Sequence, residues 1–167
     1  MATIDLPNNI LEALSTVLQQ LQQSLPEVKQ APDFSAIAFK WENGELKAIH
    51  QLKRIELNDL KGIERQKEKV LQNTEQFLNG LPANDVLLTG SRGTGKSSIV
   101  RALLTEYAEQ GLRLIEIERD DLSELPEIQN LIAERPEKFI VYCDDLAFNA
   151  EDENYRSLKS VLDGSLQ

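Results

Sequence analysis

Spaced glycines followed directly by lysine and serine make a phosphate site, and Gly90-Ser91-Arg92-Gly93-Thr94-Gly95-Lys96-Ser97 supplies them in that order. The stretch fits G-x-x-x-x-G-K-[ST] at every fixed position. Gly90, Gly93 and Gly95 let the backbone curl into a nest of N–H donors, and no Cβ holds a phosphate away. The helix expected to begin there turns its positive dipole end toward the same anion. Lys96 is expected across the β- and γ-phosphates of a nucleoside triphosphate, with the Ser97 hydroxyl on a Mg2+ ion bridging the same oxygens. Ser91 and Thr94 complete the loop. Arg92 occupies a variable position, where its charge meets phosphate or solvent, and Ser98 packs or adds a phosphate hydrogen bond.

A second set of chemical groups is Asp144-Asp145, placed where the apolar run Phe139-Ile140-Val141-Tyr142-Cys143 ends. Two acids after a strand ordinarily make a solvated turn. In a parallel sheet, however, that edge carries ligands. Asp144 is expected to reach the Mg2+ through a water, and Asp145 to orient and deprotonate an attacking water. Asp145 and Lys96 are thus the expected catalytic residues, and Ser97 and Asp144 the metal ligands. The acidic run Glu151-Asp152-Glu153 reads as a charged loop and helix start. His50, the sole histidine, has no second candidate ligand nearby and reads as a strand-end side chain. Arg119, Asp120, Arg156 and Lys159 read as surface charges.

The elements that must hold these groups follow from periodicity. Ile10, Leu14, Val17, Leu21 and Leu25 recur at helical spacing from Asn9 to Leu25, with Asn8 or Asn9 as cap, Gln19, Gln20, Gln22 and Gln23 on a solvated face, and Leu25-Pro26 as the stop. Alternation through Ile37, Phe39 and Trp41, then Asn43-Gly44, then Leu46, Ala48 and His50 predicts a hairpin, because both turn residues tolerate positive φ. A helix is expected from Gly62 to Phe77 with Gly80 as its stop, and a turn at Pro82-Ala83-Asn84. Beyond it come a short strand Val86 to Thr89, a helix from about Gly95 to Gln110, and a strand Leu112 to Ile117. A helix from Pro126 to Glu134 and the strand Phe139 to Cys143 complete the series. Strand and helix alternate, which predicts an α/β parallel sheet.

Composition sets limits on partners and setting. The chain has 167 residues, 41% of them apolar and 28% charged, which suits one folded domain. A net charge of −10 argues against general affinity for nucleic acid, whose phosphates need a clustered cationic surface. Cys143 is the only cysteine, so neither a disulfide framework nor a cysteine zinc site is available, and the expected compartment is reducing. No basic start leads into an apolar stretch, and no apolar run is long enough to span a bilayer. A cytoplasmic location is expected, with no membrane partner.

Strand, phosphate loop, second strand and a strand ending in paired acids resemble the AAA-type ATPases of the P-loop class. Leu57-Asn58-Asp59-Leu60-Lys61-Gly62-Ile63 resembles the segment that in those proteins precedes the P-loop and contacts adenine, which implies a nucleotide contact at Gly62. More narrowly, Gly90 to Ser98 together with Phe139 to Leu146 is similar to a bacterial subgroup of that family, a domain of unknown function with expected ATPase activity. The resemblance spans roughly Phe34 to Leu166. It implies ATP and Mg2+ as cofactors and a homo-oligomer in the complete form. It also implies a further strand between the P-loop strand and the acidic strand, a sensor residue, an arginine offered to a neighbouring subunit and a helical lid, none of which this sequence contains. The expectation is therefore an incomplete AAA-type core at 55–167, truncated at its C-terminus, preceded by a helix-and-hairpin region at 1–54.

Three functions fit these residues. The first is Mg2+-dependent ATP hydrolysis coupled to conformational work. A small-molecule kinase is the second; in that branch of P-loop proteins the acidic strand pairs directly with the P-loop strand. The third is a nucleotide-gated interaction module with little hydrolysis, whose N-terminal helix and hairpin bind a protein partner.

Overall fold

The Asn43-Gly44 pair takes φ of 56° and 71°, so both central residues of the turn lie in the left-handed region and the chain reverses in two residues. The turn joins β1 (Ala38–Glu42) to β2 (Glu45–Ile49), antiparallel with Glu42 opposite Glu45 and Phe39 opposite Ala48. These belong to a computed structural model that describes residues 8–24, 31–91 and 93–146. Contacts divide the chain into two units, Met1–Ala31 and Pro32–Gln167.

In the first unit, α1 (Asn8–Ser24) forms as its spacing predicts, and Ile10, Leu14, Val17 and Leu18 are exposed along it. Leu25 and Pro26 lie outside the described residues.

The second unit holds a four-stranded sheet in the order β2-β1-β3-β4, with β3 at Leu112–Ile117 and β4 at Lys138–Cys143. β1 runs parallel to β3, Ala38 opposite Leu114, and β3 runs parallel to β4, Leu112 opposite Lys138. The Lys138 N–H donates to the Gly111 carbonyl at 3.0 Å at the start of this last pairing. Helices α2 (Glu64–Leu78) and α3 (Lys96–Tyr107) serve one face, and α4 (Leu125–Ile132) the other. The sheet's side chains alternate accordingly. Ala38, Leu112 and Leu114 join Val70, Ile99, Val100, Leu103, Leu104 and Tyr107 in one apolar cluster. Phe39, Trp41, Ile115 and Ile117 join Leu122, Leu125 and Ile128 in the other. The result is a mixed α/β, mostly parallel sheet flanked by helices, an incomplete P-loop NTPase core.

β1 pairs with β3, so the hairpin is part of the same sheet, and residue 54 lies within the second unit. One sequence expectation is corrected. Residues 86–89 form no strand. Leu88 packs toward the α2 and α3 cluster, but Val86 and Leu87 remain 49% and 75% exposed. An apolar run becomes a strand only by exchanging hydrogen bonds with a neighbour, and among the described residues β4 pairs with β3 alone.

Other boundaries move little. The helix expected from Gly95 to Gln110 is α3 followed by a 3-10 turn at Ala108–Gln110, closed by Gly111 at φ 93°. Pro126 sits in the first turn of α4, where its missing N–H costs nothing. Among the described residues, no helix is long and apolar enough to cross a membrane.

Candidate phosphate and metal site

The loop between residue 89 and α3 depends on backbone conformations that side chains resist. Gly90, Gly93 and Gly95 have φ of 148°, 78° and 89°, and a Cβ on Gly90 would meet Thr94 Oγ1 at 3.0 Å. Gly95 is the N-cap of α3, and no side chain caps the helix. The first turn of α3 carries no acidic residue, so nothing on the helix itself neutralises its positive end. Thr94 Oγ1 donates to the Ser91 carbonyl at 2.8 Å and ties the loop across its width. Lys96 Nζ donates to the carbonyls of Gly90 at 2.9 Å and Ser91 at 3.1 Å, which keeps the ammonium against the loop.

One residue on, the Ser97 hydroxyl donates to Asp144 Oδ2 at 2.7 Å, so the first turn of α3 meets the end of β4. Tyr142 donates its hydroxyl to Ser97 Oγ at 3.0 Å. The other Asp144 oxygen, Oδ1, accepts the Asp145 N–H at 2.9 Å. The Ser97 hydrogen bond holds the Asp144 carboxyl below its ordinary range; burial opposes this, and the Asp145 N–H, the Tyr142 hydroxyl and the Lys96 charge reinforce it. Burial pushes Tyr142 up to about 12 and Cys143 up to about 11, so the phenol stays a donor and the thiol stays protonated at neutral pH. Asp145 itself sits at φ 50°, a left-handed position that Asp tolerates better than most residues.

A third segment lies beside the loop. A 3-10 turn at Leu57–Asp59 is fixed by the Lys67 ammonium, which donates to the carbonyls of Leu57 at 3.1 Å and Leu60 at 2.8 Å. Gly62, at φ 77°, gives its N–H to Glu64 Oε1 at 3.1 Å. The next residue, Ile63, brings its Cδ1 to within 3.7 Å of where a Gly95 Cβ would be.

The structure therefore gathers Gly90, Ser91, Gly93, Thr94, Gly95, Lys96, Ser97 and Asp144 into one site, with Ile63 along its side. Ser98 lies in the first turn of α3, Asp145 follows Asp144 through its backbone, and the Gly62 amide is engaged by Glu64. Arg92 lies outside the described residues, as do Glu151, Asp152, Glu153, Arg156 and Lys159. His50 is exposed, with Nε2 3.6 Å from Asp33 Oδ2. Tyr142 is the neighbour that sequence reading missed; Ile63 belongs to the 57–63 segment that the resemblance singles out. Tyr142 was within reach of a period-two argument, since it shares a strand face with Asp144.

Comparison with known proteins adds a family and a short relative. The family described as "Protein of unknown function (DUF815)" matches residues 34–167. A protein of Methanococcus maripaludis described as "Replication factor C large subunit" is 36% identical over 52 residues, covering 31% of this chain and 11% of that protein. The chain thus matches only a small part of the length of that relative. No solved structure matches.

Proposed function

The chain belongs to the family described as Protein of unknown function (DUF815), and we propose that it binds ATP with Mg2+ at residues 90–97 as an AAA-type P-loop protein. The observation that carries this reading is the 2.7 Å hydrogen bond between Ser97 and Asp144. A serine after the loop lysine and an acid at the end of a parallel strand, 47 positions apart in sequence, meet where a phosphate-bound cation would need them. The partial likeness to a replication factor C large subunit supports the same assignment.

The donor set fits Mg2+. Among the described residues no group of three or more His, Cys, Asp or Glu side chains is arranged to hold a metal ion, so at this site the protein offers a hydroxyl and one carboxylate. Mg2+ accepts few protein oxygens because it keeps waters and takes phosphate oxygens for the rest. When bound, it neutralises charge on the β- and γ-phosphates. The chain's own groups do the remainder. The backbone amides around Gly93 and Gly95 and the N-terminus of α3 receive the phosphates, and Lys96 exchanges the Gly90 and Ser91 carbonyls for phosphate oxygens. Gly62 and Ile63 flank the base, Ser98 and Arg92 add to the phosphate contacts, and Asp145 takes the proton of the attacking water. We assign the protein Mg2+-dependent hydrolysis coupled to conformational work in a homo-oligomer, in the cytoplasm of a bacterium.

Lys96→Ala tests the ligand. Calorimetry should show ATP affinity at least tenfold weaker in the variant, consistent with loss of a charge-assisted contact worth about 1.5–3 kcal/mol. Equal affinities would remove the loop from phosphate binding.

A further inference from the structure

Tyr142 is the polar group of this site that the phosphate chemistry leaves without a role. It lies in β4 on the face turned toward α3, half-buried, with its ring against the apolar cluster of Ile99, Leu103 and Leu114. Its hydroxyl leaves that cluster to donate to Ser97 Oγ at 3.0 Å. A serine hydroxyl has one hydrogen to give and two lone pairs to offer. The hydrogen goes to Asp144 Oδ2 at 2.7 Å, and the Tyr142 hydroxyl takes one lone pair. One lone pair remains, and its direction is fixed because two partners, both carried at the end of the same strand, hold the oxygen.

Resting on the nucleotide reading above, we propose that Tyr142 is a positioning residue that fixes the Ser97 hydroxyl so that its remaining lone pair faces the nucleotide-bound cation. Without the phenol, the hydroxyl is tethered by one bond to a carboxylate and is free to exchange among its staggered rotamers. Each departure from the coordinating rotamer weakens the cation's hold while leaving the contacts of Lys96 and the loop amides with phosphate intact. Tyr142 thereby sets how much the cation adds to nucleotide affinity, and does so from the rigid sheet rather than from the loop.

Tyr142→Phe removes the hydroxyl and keeps the ring that packs on the cluster. ATP binding to the full chain and to this variant is measured by calorimetry, once with Mg2+ and once with EDTA. The quantity of interest is the ratio of the two dissociation constants within each protein, so any loss of folded fraction cancels. The expected result is a Mg2+-dependent gain about two- to tenfold smaller in the variant, the value of one hydrogen bond, with the EDTA affinity preserved. An unchanged gain, or equal weakening in both buffers, overturns the proposal. In a Ser97→Ala background the Phe substitution should reduce the gain no further, because Tyr142 acts through Ser97; an additive loss would move its effect to Asp144, which its hydroxyl also reaches, and would overturn the proposal. If the unsubstituted chain binds ATP in neither buffer, the nucleotide reading itself fails, a result that no behaviour of the variant can mimic.

Discussion

At the scale of single residues, Ser97 and Asp144 hold each other in the state each needs. The serine hydrogen bond is the largest of the influences that lower the Asp144 carboxyl from an ordinary value of 3.8, and burial is the one that opposes it. A folded-state pKa below the unfolded one has a definite sign: the contact contributes fully above about 3.8, and the contribution disappears as pH falls through the lower folded value. At neutral pH the carboxylate is an anion, as the proposed cation site requires. Ser97→Ala should therefore move the Asp144 midpoint upward toward 3.8 in a carboxyl NMR titration. A midpoint that stays where it was would transfer the leading part to the Asp145 N–H. Lys96 is held by the loop itself, through the Gly90 and Ser91 carbonyls.

Among the elements, β4 is the informative one. The Lys138 N–H bonds toward Gly111 on the β3 side, and amides along a strand alternate in direction. The N–H groups of Ile140 and Tyr142 then also face β3, while those of Phe139, Val141 and Cys143 face away. Amide hydrogen exchange should follow that alternation, slow at even positions and fast at odd ones; uniform protection along 138–143 would mean that the outer edge is covered. Sequence alone located β3 from Leu112 to Ile117 and β4 to within one residue, because runs of β-branched and aliphatic residues between glycine and proline mark strands directly. Lys96, Ser97 and Asp144 were legible as positions at element ends for the same reason, the first two at the start of α3 and the last just beyond β4. Partnership was not legible. Alternation in Phe39 and Trp41 announces a strand with a buried face, but nothing in that pattern says that β1 lies beside β3 rather than in a hairpin of its own. The run Val86 to Thr89 fails in the opposite way. Its composition suits a buried strand, yet burial depends on neighbours that composition does not name.

For the molecule as a whole, the hairpin decides where the folding unit begins. Phe39 and Trp41 are 0% and 1% exposed and lie at the centre of the α4-side cluster. Trp41 also gives its indole N–H to Glu124 Oε2. Removing residues 1–31 should leave the urea midpoint of the remainder nearly unchanged, monitored by fluorescence of Trp41, the chain's single tryptophan. Removing 1–54 strips β1 and β2, exposes the edge of β3 and deletes both aromatics from the core. Each buried aromatic is worth about 3–5 kcal/mol when truncated to Ala, against a total stability of about 5–15 kcal/mol. The shorter chain should accordingly show no cooperative transition by circular dichroism; a cooperative melt would instead support an independent region at 55–167.

The bond from Ser97 to Asp144 closes a long stretch of chain. α3, the return through β3, and α4 all lie between its two ends, and such non-local contacts form late because loop entropy is lost before they give anything back. A reporter on that pair follows the arrival of the last strand rather than the collapse of the core. A newly made chain carries its glycines and lysine well before it can close the proposed cation site.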